Sequence, residues 1–102
     1  TITAAEVVYA LTNDKGRTRS ERAGEHYYAG IRETPYAPFV KLCDRLANMT
    51  YCFNGTNDAN NHMHKVYASE WSHFIQAITV CNQDSRYSLP ASMVSEVQSL
   101  FA

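Results

Sequence analysis

The stretch KLCDRLANM, residues 41–49, places Lys41, Asp44, Arg45 and Asn48 within two helical turns. At roughly 100° per residue these four share one polar sector, opposite Leu42, Leu46 and Met49. The set is one carboxylate flanked by two cations, with a carboxamide one turn on. Taken by itself it is also what the solvated face of an amphipathic helix looks like. A second set is the basic run Lys15, Arg17, Arg19 and Arg22. Arg19, Arg22 and His26 stand at i, i+3 and i+7, which is one helical face. Forked guanidinium groups match the oxygens of a diphosphate. The competing reading is a solvated face balanced by Asp14, Glu21 and Glu25.

The remaining reactive side chains argue for less. His62 and His64 are two apart, so on a helix they diverge by roughly 200° and cannot share a metal. His73 reads as a surface or hydrogen-bonded residue. Cys43, Cys52 and Cys81 are odd in number and form no CxxC pair, so neither a disulfide framework nor structural zinc fits. Buried free thiols in a reducing compartment are the plainer reading. Cys43 lies beside Asp44 but has no His at motif spacing, which argues against a catalytic thiol.

The whole chain narrows the classes further. At 102 residues it is read as a single domain, 1–102, or part of one. Hydrophobic residues make up 45% and charged residues 19%, as in ordinary globular proteins. A formal net charge of −1 gives no general attraction to nucleic acid or to an anionic membrane. Apolar runs are too short to span a bilayer, and the expected location is cytoplasmic.

The elements that must position these groups read as helices. Thr3 and Glu6 fit a capping box ahead of a helix over 4–11, with Val7, Val8 and Leu11 as its stripe. A second helix is expected over 18–31, with Tyr27, Tyr28 and Ile31, before Thr34-Pro35 breaks the chain. The third, over 36–51, carries Phe39, Leu42, Leu46 and Met49 at helical spacing, with Cys43 at the edge. Residues 53–61 read as a loop with room for some helix. A fourth helix is expected over 62–78 and a fifth over 90–101, with Pro90 in its first turn. No strand-like alternation competes, so the expected fold is all-α, a bundle of about five helices.

The Asp-Arg-x-x-Asn core of KLCDRLANM resembles the last metal-binding motif of HD-domain phosphohydrolases. In particular it resembles that motif in the small bacterial and phage relatives of the RelA/SpoT-type guanosine-pyrophosphate hydrolases. TITAAEVVYALT, residues 1–12, looks like the helix that follows that family's acidic pair, with Thr12 at the family's threonine. The basic run, the Thr34-Pro35-Tyr36 turn, KLCDRLANM and YASEWSHF follow in family order, so the likeness covers 1–78. It implies an HD-like helical bundle, incomplete on its N-terminal side. It implies that Asp44 completes a site for a divalent metal, Mn²⁺ or similar. Asn48, Lys41, Arg45, Arg19, Arg22 and Thr12 would meet the nucleotide. In the complete domain a metal-activated water would attack phosphorus and release pyrophosphate. The chain departs from the family where the metal is concerned: the His, the His-Asp doublet and the acidic pair are absent.

Two functions follow. The first is the C-terminal part of a metal-dependent phosphohydrolase acting on a nucleotide pyrophosphate such as guanosine tetraphosphate. Alone it would have no catalytic residue, no tightly held metal and no activity. The second is a non-catalytic helical binding module that keeps the scaffold. Its partners would be a nucleotide or pyrophosphate ligand, and the missing N-terminal half or a second copy meeting apolar surface on the first and third helices.

Overall fold

The computed structural model describes residues 2–12, 24–54 and 58–100, and among these every regular element is helical. In chain order they are α1 (Ile2–Leu11), α2 (Glu25–Arg32), α3 (Ala37–Phe53), α4 (Asp58–Ile78), a short 3-10 turn (Ser85–Tyr87) and α5 (Ala91–Ser99). The all-α expectation holds, with five α-helices among the described residues. None of them is long and apolar enough to cross a membrane.

Helix α3 forms because its apolar residues recur every three or four positions and its proline, Pro38, falls in the first turn, where no backbone donor is lost. It lies against α4. Between them Leu42, Met49, Phe74 and Ile78 are essentially sealed from solvent. The third layer is α2, whose Tyr28 ring meets Phe74 and His73 edge-on at 6.3 and 5.9 Å. Arg32 at the end of α2 donates to the Ala77 carbonyl at 2.7 Å, satisfying one of the acceptors left open at the end of α4. Helix α1 rests on α2 and α3 through Val7 and Ala10.

The turn into α3 is sharp. Tyr36 has φ 70°, the left-handed region that a side chain other than glycine enters at a cost of about 1–2 kcal/mol. Its N–H donates to the Arg86 carbonyl at 2.7 Å, which ties the start of α3 to the 3-10 turn. That cross-link is one compensation for the strain.

Several boundaries and faces differ from the sequence reading. Helix α1 is already formed at Ile2, so Thr3 lies inside it and not at its cap. Its buried face is Val7 and Ala10, while Val8 is 67% exposed. Residues 18–23 of the second expected helix lie outside the described residues. Helix α4 starts at Asp58, so the expected loop shrinks; its polar first turn carries little apolar period. Phe39 sits at the margin of α3 at 38% exposure. Pro90 is the N-cap of α5, not its first turn. Cys43 and Cys52 are half-buried and Cys81 is exposed, so the thiols are not core residues.

Two substitutions test this packing. A Cβ placed on Gly30, inside α2, would meet nothing within 4 Å. Gly30→Ala should therefore raise stability by about 0.5–1 kcal/mol in urea unfolding, because it removes only unfolded-chain freedom. Glu70→Ala should lower it by about 1–3 kcal/mol, since it leaves the Arg45 guanidinium buried without its carboxylate. A cost as small as that of an exposed ion pair would show that Arg45 is rehydrated.

Candidate functional site around Asp44

Asp44 and Asn48 are both exposed on the same side of α3, one turn apart. Lys41, one turn before, brings its ammonium to 3.6 Å from the Asp44 carboxylate. The Lys41 side chain is largely covered and its Nζ lies 5.4 Å from the centre of the Tyr27 ring. Ring face and carboxylate together hold the ammonium, a modest attraction on each side. Asp44 is thus a carboxylate with a cation near one side and solvent on the other.

The helix end that carries Thr12 joins the same region. The buried Tyr27 hydroxyl donates to the Leu11 carbonyl at 3.1 Å. A continuous line of contacts then runs from the end of α1 through Tyr27 to Lys41 and Asp44. Thr12 donates its own hydroxyl proton to the Val8 carbonyl at 2.8 Å. In this arrangement its side chain has no proton to offer a phosphate. Arg19 and Arg22, the other nucleotide candidates, lie outside the described residues.

Arg45 departs from the expected arrangement. It is 6% exposed and belongs to the buried face of α3, between Leu42 and Met49, not to the polar sector with Asp44. Its guanidinium lies 4.0 Å from the centre of the Phe74 ring and 4.8 Å from that of Tyr67, and 3.3 Å from the Glu70 carboxylate. A cation stacked on rings and paired inside the helix interface is satisfied where it is. Arg45 therefore presents no fork to a ligand beside Asp44.

The histidines keep apart. His62 is exposed on α4, and His64 packs on Phe53 with ring centres 3.9 Å apart. His73 is exposed with its edge against Tyr28. Among the described residues no three His, Cys, Asp or Glu side chains gather as a metal cage.

Tyr27 is the member of this region that residue type did not single out. Its ionisation is pushed up to about 12, first by burial, then by Tyr28 and then by the negative charge of Asp44, against an opposing pull from Arg45. The signal in the sequence was weak: one of two adjacent tyrosines on an expected apolar stripe.

Comparison with protein-family models, with curated proteins and with solved structures finds no match to this chain.

The Tyr27 shift gives a pH test. Its folded value lies above the unfolded value near 10, so the stability it contributes is full below pH about 10 and is lost as pH rises towards about 12. Tyr27→Phe should flatten the stability slope in that alkaline window. Asp44→Asn should move the Tyr27 transition downward in ultraviolet titration, assigned by difference against Tyr27→Phe. An unmoved transition would separate Asp44 from Tyr27.

Proposed function

We propose that this chain supplies the last carboxylate and part of the nucleotide-contacting surface of an HD-type, metal-dependent phosphohydrolase. The substrate is a nucleotide pyrophosphate such as guanosine tetraphosphate. The observation that carries this reading is the exposed Asp44 carboxylate, paired with Lys41 at 3.6 Å, with Asn48 exposed one turn away. A carboxylate paired on one side and open on the other suits a hard divalent cation.

The described residues do not by themselves fit such an ion. Catalytic metals are held by about three or more protein groups, and among the described residues no such group of three His, Cys, Asp or Glu includes Asp44. The proposal therefore needs a segment or chain bearing the family's His and His-Asp motifs. In that assembly this chain's own residues have limited roles. Asp44 provides the anionic oxygen, Lys41 pairs with it, and Asn48 offers an amide to the nucleotide. Arg45 fixes the rotation of α3 and thereby the direction in which Asp44 points.

The second reading, a non-catalytic interaction module, has its own support. Ile2, Val8 and Tyr9 on α1 are 80%, 67% and 72% exposed, and Tyr51 on α3 is 75% exposed. Apolar exposure of this extent on one short helix is a common mark of a contact surface.

The readings part in a reconstitution. The chain alone should show no tight Mn²⁺ binding in calorimetry and no pyrophosphate release from guanosine tetraphosphate. Fused to a segment supplying the His and His-Asp motifs, it should gain both, and Asp44→Ala should remove most of the gain. Full activity in the Asp44→Ala fusion would end the metal-ligand role. A fusion that folds but stays inactive, with the chain self-associating in sedimentation, would favour the interaction module.

A further inference from the structure

A cavity of about 490 Å³ opens between the end of α4 and the start of α5, among residues that take no part in the Asp44 region. Its walls are Ile75, Val80, Leu89 and Val94, with Thr79 and Asn82 among its polar groups. The volume lies within the range of small-molecule sites, about 300–1,000 Å³. No lining side chain carries a charge at neutral pH. An ionic ligand would lose hydration here and gain no partner.

The loop that forms one wall is already fixed. Asn82 Oδ1 accepts from the Asp84 N–H at 2.8 Å, and the Asp84 carboxylate accepts from the Arg86 N–H at 3.0 Å and from its guanidinium at 2.6 Å. Ser88 donates to the Ser85 carbonyl at 2.9 Å, and the Tyr36 N–H holds the Arg86 carbonyl from the start of α3. The Arg86 hydrogen bonds pull Asp84 down to about 2, so these bonds persist through the neutral range. These bonds give the wall a defined shape without a ligand.

Two of the polar groups, beside the hydroxyls of Tyr87, Ser88 and Ser95, have a direction set by their own bonds. Thr79 donates its hydroxyl proton to the Ile75 carbonyl at 2.6 Å, so towards a ligand it accepts. Asn82 uses its carbonyl oxygen on the Asp84 N–H, so its NH₂ is what remains to donate. From these observations we infer that the cavity binds a small uncharged amphiphile, an apolar body ended by an amide-like group that both donates and accepts. This rests on neither reading of the Asp44 region.

The probes are 4-phenylbutanamide and 4-phenylbutanoate, equal in size and different in charge, titrated into the ¹⁵N-labelled chain. The amide should give saturable shifts at millimolar concentration, centred on Val80, Asn82, Leu89 and Val94, and should bind at least tenfold more tightly than the carboxylate. Asn82→Ala should narrow that preference, and Ser95→Trp, a change at an exposed lining position, should abolish the shifts while leaving the rest of the spectrum in place. Absence of saturable shifts at these residues, or equal binding of the carboxylate, would overturn the inference. If either variant misfolds, the wild-type comparison of the two probes decides alone.

Discussion

The packing of α3 on α4 turns on one buried cation. Arg45 is 6% exposed, and its charge is met by the Glu70 carboxylate and by the faces of Phe74 and Tyr67. Removing a guanidinium from water costs several kcal/mol, and this geometry returns part of it only in one register of the two helices. An interface of leucines alone would tolerate rotation of α3. With Arg45 it does not, because a turned helix would strand the charge in the apolar layer. The cation therefore adds specificity even if a well-packed apolar replacement would be as stable.

That fixed rotation decides what the opposite side of α3 can present. With Leu42, Arg45 and Met49 inward, Asp44 and Asn48 must face out, and Lys41 falls at the boundary, where its stem is covered and its ammonium reaches Asp44. The same constraint reaches α1 through Tyr27, whose hydroxyl is bonded to the Leu11 carbonyl and whose ring lies by Lys41. Three helices thus meet around Asp44 through contacts that each depend on the orientation of α3.

Much of the helical plan was legible in the sequence because its signals are local. The spacing of Leu42, Leu46 and Met49 marked α3, and Thr34-Pro35 marked the break before it. Arg45 was misassigned although its angle was available: about 60° from Leu42 and about 40° from Met49, it lies nearer the apolar stripe than Asp44 does. Residue type outweighed geometry there. Its partner Glu70 stands 25 positions away, and no local pattern announces such a pair. Val8 failed for the converse reason: on α1 the small Ala10 is buried and the larger Val8 left out. The start of α4 was hidden because Asp58, Asn60 and Asn61 carry turn chemistry as readily as a polar first turn. Of the site, Asp44 and Asn48 could be placed together from spacing alone, whereas Tyr27 could not, since its role comes from a contact between helices.

The position of Asp44 bears on how such a site would be assembled. The Lys41 ammonium stands 3.6 Å from the half-exposed Asp44 carboxylate, an ion pair of small stabilising effect. The same ammonium competes with a metal cation for the carboxylate oxygens. A single carboxylate is therefore a poor metal site by itself and a useful last ligand in a cage supplied by other groups. On the reading proposed above, most of the charge for an ion would come from other groups, and Asp44 would add one carboxylate on the exposed side of α3.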